Sequence, residues 1–250
     1  MRKIIVVLLS LLFVLSCASS KTQQQGKNVK LNVETLSEGV RLTFDSIPEK
    51  TTRIFIYFQN WGETLNGTHD IVSTYTNILG SALDRVKETR SVICPFVRPG
   101  ENYNIYVSFE KKGELWADGH KGEDITAEII AANGIYFTND VELVLNETKT
   151  GVTLPAEPVF SAEVQYTPEK YKYSVTIEVN DNGSLGFSDS STVKGTNWAF
   201  EPLLTNGLMK GGYLQKGNYS AYVTVFSSLV YDNISWDVEI AKTEIFTYIF

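Results

Sequence analysis

The apolar and polar positions follow two different rhythms along this chain. Residues 4–15 are apolar except for Ser10, directly behind Arg2 and Lys3. A helix needs roughly 20 apolar residues to cross a hydrocarbon core, so this run is too short to span. It has the charged and apolar plan of a cleaved export signal over residues 1–16. Beyond residue 28 the spacing changes to period two. Arg53-Ile54-Phe55-Ile56-Tyr57-Phe58, Tyr103-Asn104-Ile105-Tyr106-Val107 and Tyr173-Ser174-Val175-Thr176-Ile177-Glu178-Val179 stand between turns rich in Gly, Asn and Pro. Such runs predict short, half-buried antiparallel strands. Helical spacing is confined to Ile78-Leu79, Ala82-Leu83 and Val86, enough for a turn or two.

The strand pattern occurs twice, with an offset that grows from 112 to 120 residues. Val29-Lys30-Leu31-Asn32-Val33 followed by Gly39-Val40-Arg41-Leu42 returns as Val141-Glu142-Leu143-Val144-Leu145 followed by Gly151-Val152-Thr153-Leu154. Pro48-Glu49-Lys50 leads into Arg53, and Pro168-Glu169-Lys170 leads into Tyr173. Pro99-Gly100-Glu101-Asn102-Tyr103 is echoed by Lys216-Gly217-Asn218-Tyr219, and a last strand follows each, over residues 127–137 and 236–250. The shared order of these matches indicates duplicated architecture, and the growing offset marks an insertion between them. The expected fold is all-β: two tandem antiparallel β-sandwich domains, 28–139 and 140–250, after a signal peptide and a polar tether over 17–27.

Composition narrows the function. Without residues 1–16 the chain carries 20 basic against 29 acidic residues, a net charge of −9. With no basic cluster, this is a poor surface for nucleic acid or anionic lipid. Cys94 is then the one cysteine besides Cys17, so no disulfide within the chain is expected. Its neighbours Val92-Ile93 and Pro95-Phe96 mark it as a small buried hydrophobe.

Two resemblances follow from these residues. Val14-Leu15-Ser16-Cys17 resembles the lipobox of bacterial lipoproteins, with Val14 where Leu is commoner and Leu15 bulkier than usual. The resemblance implies cleavage before Cys17, lipid attachment to it (palmitate among the acyl chains), and a cell-envelope location. Several acyl chains hold a protein firmly where one does not. Ala18 in place of Asp leans toward the outer membrane, leaving open which face. Val97-x-Pro99-x-x-x-Tyr103-x-Ile105-x-Val107 resembles the corner between the fifth and sixth strands of fibronectin type III domains. There the tyrosine hydroxyl bonds back to upstream backbone. Gly39-Val40-x-Leu42-x-Phe44 resembles the second strand, with Phe44 where that family places a core Trp. The likeness is good over 27–139 and loose over 140–250, where Lys216 replaces the corner proline and residues 184–212 match nothing.

No catalytic centre stands out. His69 and His120 sit in turn-like and Gly-rich stretches and read as solvated loop residues. No Cys/His set has metal-ligand spacing, and no G-x-S-x-G marks a nucleophile. Asn180-Asp181-Asn182-Gly183-Ser184 lacks the register of a calcium loop and reads as a hairpin turn. No metal and no cofactor are therefore expected. Trp61, Trp116 and Trp198 lie near loops beside amide or charged residues. They are the candidates for ligand contact, with capping of the sandwich cores as their other role; Trp236 reads as core. Phe246-Thr247-Tyr248-Ile249-Phe250 resembles the terminal strand of a membrane barrel, but the repeat already accounts for it as the last strand of the second sandwich. The expected function is ligand binding, adhesion or envelope organisation without catalysis, with a protein or glycan as partner. The alternatives are a spacer within an envelope complex, or a glycan-acting hydrolase using Glu63, Asp118 or Glu123. A hydrolase would need two carboxylates about 5 or 6.5–9.5 Å apart in a cleft.

Overall fold

The computed structural model describes residues 22–24, 29–60, 73–111, 123–139, 141–178, 184–188, 193–194, 196–204 and 216–249. The expectations for residues 1–16, Cys17, Trp61, Glu63, His69, Trp116, Asp118, His120 and the turn at 180–183 lie outside the described residues.

Strand β1 (Thr22–Gln24) precedes the first sandwich, which runs β2 (Leu31–Leu36), β3 (Gly39–Phe44), β4 (Thr51–Asn60), β5 (Thr74–Ile78), helix α1 (Gly80–Thr89), β6 (Ser91–Cys94), β7 (Asn102–Lys111) and β8 (Glu123–Ile130). β2, β3 and β6 form one antiparallel sheet, and β8, β7, β4 and β5 lie side by side in the other. This three-against-four division is the one implied by the fibronectin type III resemblance. The alternation of β4 buries Ile54, Ile56 and Phe58 against the smaller sheet. Phe44 meets Phe109 edge-on between the layers, ring centroids 5.4 Å apart.

The corner motif folds as its residues imply. The Tyr103 hydroxyl accepts a 2.8 Å hydrogen bond from the Arg98 backbone N–H. Burial pushes that hydroxyl's pKa up to about 12, so it stays protonated at the corner. Cys94 is fully buried and its thiol is pushed up by the same desolvation.

The second sandwich repeats the plan with β9 (Val144–Leu145), β10 (Gly151–Thr153), β11 (Gln165–Glu178), β12 (Ser184–Ser188), β13 (Val193–Lys194), β14 (Asn197–Ala199), β15 (Asn218–Tyr231), β16 (Ile234–Lys242) and β17 (Phe246–Ile249). β14, β10 and β9 make the small sheet, while β16, β15, β11 and β12 continue the large one. The repeated glycines have one cause. A Cβ on Gly39 would stand 2.3 Å from the Cys94 carbonyl oxygen, and one on Gly151 would stand 2.8 Å from that of Trp198. Each second strand thus runs too close to its neighbour's backbone for a side chain.

Three expectations change in detail. The strand expected over 127–137 begins at Glu123 and stops at Ile130. Past it the chain wraps the tyrosine corner, with Gly100 N–H on Ala131 O at 2.7 Å and Ile135 N–H on Pro95 O at 2.7 Å. Pro168-Glu169-Lys170, expected to precede a strand, lies inside β11 at a break in register between Tyr166 and Tyr171. A proline cannot donate to a ladder, so the bulge is what admits it. The last strand divides into β16 and β17, both paired with β15, on either side of Thr243, whose Oγ1 accepts the Val223 N–H at 3.0 Å.

The two sandwiches share one sheet. β5 pairs antiparallel with β16 through Thr74↔Val238, Tyr75↔Asp237 and Thr76↔Trp236. Thr76 Oγ1 donates to Ser235 O at 2.6 Å, and Glu239 N–H donates to Ser73 O at 2.8 Å. Trp236, fully buried, places its ring edge-on to Phe58 with 6.1 Å between centroids. At the tip of the β15–β16 hairpin, Asp232 and Asn233 both have positive φ, the backbone a tight two-residue hairpin requires. Asp232 forms an ion pair with Arg85 of α1.

Candidate functional site

The outward face of the shared sheet is built from the other half of the strand alternation. In β4 that half is Arg53, Phe55, Tyr57 and Gln59. The ladders align Tyr106 of β7, Tyr57 of β4, Tyr75 of β5, Asp237 of β16 and Ser228 of β15 in one row across five strands. Beside it, Lys172 of β11, Phe226 of β15 and Glu239 of β16 form a second row. The first row therefore crosses the boundary between the sandwiches, its tyrosines on one side and Asp237 and Ser228 on the other, while the second row sets Phe226 on the far side. Phe55 lies 6.2–6.3 Å from Tyr57, Tyr75 and Tyr106, and Tyr75 meets Phe226 edge-on at 5.4 Å. All of these rings are half-buried.

Charged groups are set among the rings. Lys172 Nζ holds both oxygens of Asp237, at 2.7 and 2.8 Å, and Ser228 Oγ donates to the same carboxylate at 2.6 Å. Burial raises the Tyr75 hydroxyl above its ordinary value, and the neighbouring Asp237 charge raises it further. Glu239 is 8% exposed. Burial pushes its pKa up to about 8, against the opposing pull of Lys242 and Ser73, so it is mostly protonated at neutral pH. Lys242 Nζ stands 3.9 Å above the Tyr222 ring, a cation–π contact. Arg53 Nε donates to Glu110 Oε2 at 2.6 Å on the same face.

Asp237 and Glu110 are thus each paired with a cation, and Glu239 is mostly protonated, so these three carboxylates leave little net charge among the rings. A crevice at the corner, lined by Phe96, Val97, Arg98, Ile135, Tyr136, Phe137 and Val238, has room for about one water. No group of three or more possible metal ligands occurs among the described residues. The face is suited to contact: broad, ring-rich, and carrying hydroxyl and amine groups at its margins.

Trp198, the described member of the three Trp candidates, is 6% exposed. Its ring stacks on Tyr173 at 5.4 Å and 19° and leans on Phe200 at 5.7 Å. Its side chain is thus packed among the aromatics of the second sandwich. Trp236 is core as expected. Trp61 follows Asn60, which ends β4 opposite Tyr103; the segment bearing Trp116 follows Lys111, which ends β7 opposite Thr51. Asn60 and Lys111 themselves stand at opposite ends of the β4–β7 ladder, about 30 Å apart at ordinary strand rise. Glu123 opens β8. The outward aromatics were open to detection in one place: Ile54-Phe55-Ile56-Tyr57-Phe58 has no strongly polar position, the mark of a strand wanting cover on both faces.

No protein-family model matches the chain, and no curated protein matches it. Among solved structures it is similar to a two-domain fibronectin type III segment of chicken tenascin, at 13% identity over 90% of this chain and 98% of that one, with a TM-score of 0.27. It is also similar to the chicken interferon gamma receptor alpha chain, at 11% identity over 88% of this chain and 96% of that one, with a TM-score of 0.22. The fold assignment rests on strand order and corner geometry.

Proposed function

We propose that this chain is a lipid-anchored envelope protein whose two modules, 28–139 and 140–250, act as a single binding body and not as a catalyst. Cys17 carries the lipid, and the residues between it and β1 join the modules to the membrane, the outer membrane in this reading. The observation that carries the binding role is the in-register row Tyr106, Tyr57, Tyr75 and Asp237, continued across the module boundary. Tyrosine supplies contact area at low entropic cost together with a polar tip, which suits it to protein or glycan partners. On this face Asp237 is held by Lys172 and Glu110 by Arg53, which argues against either carboxylate acting in hydrolysis.

Two measurements test this. Labelled palmitate should enter the wild-type chain and be absent from Cys17→Ala; label retained in the variant overturns the anchor. A glycan and protein array probed with the full chain should give hits that Tyr57→Ser and Tyr75→Ser abolish while the far-ultraviolet spectrum is unchanged. Hits lost instead in Trp61→Ala or Trp116→Ala would move binding to the loops.

A further inference from the structure

The contact that joins the two sandwiches is between unlike edges. β5, at the end of the order β8, β7, β4, β5 in the first large sheet, receives β16, at the start of the order β16, β15, β11, β12 in the second. The same two kinds of edge remain at the ends of the combined sheet. At one end stands β12, the counterpart of β5, with no strand on its outer side among the described residues. At the other stands β8, the counterpart of β16. Its outer side is covered over residues 125–127 by the ladder Thr22↔Ala127, Gln23↔Thr126 and Gln24↔Ile125.

Strand direction makes these two end edges compatible. From β8 to β12 the sheet passes through eight strands, every neighbouring pair antiparallel. β12 therefore runs opposite to β8. A second copy placed by the displacement that relates one module to the next would bring its β8 antiparallel onto the first copy's β12. Nothing in that arrangement requires a new kind of contact, because β5 and β16 already make it within the chain. An unpaired strand edge is a template for another strand, and contacts between unlike surfaces extend without closing unless rotation brings them round.

We infer that the occupant of the β12 edge is the β8 edge of a second copy, so that chains add head to tail into a continued sheet. β1 then serves as a guard. Three residue pairs on β8 must be released before that edge can join, which restrains association until another copy is held close by.

The test uses two single-reporter variants of the full chain, Gly186→Cys in β12 and Thr126→Cys in β8, each with Cys17→Ala so that the buried Cys94 is the one native thiol. Ser188→Cys is the second reporter should Gly186→Cys fail to fold. A short flexible bis-maleimide should give a dimer in the mixture of the two variants and several-fold less in either alone. Self-linking of the β12 variant as strong as the mixed product would show symmetric pairing and overturn the proposal. So would the absence of dimer in every sample together with a monomer in sedimentation at the highest soluble concentration. Replacing Thr22, Gln23 and Gln24 together with proline removes all three N–H donors of β1 and should raise the mixed dimer several-fold. An unchanged yield would overturn the guard.

Discussion

Glu239 holds a proton that the unfolded chain would release. Its ordinary value is 4.5 and burial moves it to about 8 in the fold. Below 4.5 both states carry the proton. Between 4.5 and 8 the folded state keeps it while the unfolded state loses it, so stability falls as pH rises through that window and then levels off. Glu239→Gln keeps the shape and removes the titration. Urea unfolding at pH 5 and pH 8.5 should show the wild type losing more stability than the variant, by a few kcal/mol at most. Equal losses in the two proteins would remove Glu239 as the cause. Two glycines give a graded pair. Gly39 has φ +143° and a backbone oxygen 2.3 Å from where a Cβ would stand, while the nearest atom at Gly151 is 2.8 Å away. Gly39→Ala should cost about 3 kcal/mol or more and Gly151→Ala about 1–2 kcal/mol, read from denaturation midpoints. The sequence displayed both glycines as matching marks of a repeat. That they mark the same close approach to a neighbouring strand depends on which strand lies alongside, and spacing does not state it.

At the scale of elements, the β5–β16 junction has a ladder of only three residue pairs, with Trp236 the large side chain packed across it. Trp236→Ala should destabilise by about 3–5 kcal/mol, the range for truncating a buried aromatic. Amide exchange in Thr74–Ile78 should then accelerate although the substituted residue lies in the other module. Exchange that changed in the second module alone would mean that the ladder does not couple them. Trp236→Phe should be milder, since Nε1 makes no hydrogen bond among the described residues. Much at this scale was legible beforehand. The alternation in β4, β7 and β11, the helical turn around Leu83 and Val86, and the corner at Tyr103 are local patterns, and each formed. Proline inside β11 was not legible, because a bulge depends on what the partner strand β15 offers. Nor was the outward row of Tyr57, Tyr75 and Tyr106, which takes shape only when three strands come into register.

At the scale of the molecule, duplication was visible in the sequence and fusion was not. A repeat fixes what each module is, but the edge by which it meets its twin is chosen by a few residues with no period of their own. Trp236 and Thr76 are 160 positions apart by residue number. Their pairing settles whether two sandwiches make two bodies or one. The common strand direction of the modules has a consequence for reach. Modules linked end to end would each add their full length to the distance from an anchor. Here each strand of 10 to 14 residues sets the height once, at about 3.3 Å per residue. The second module adds four strands of breadth, roughly 19 Å at ordinary strand spacing. The chain thus behaves as a plate, a poor design for a spacer and a good one for offering area.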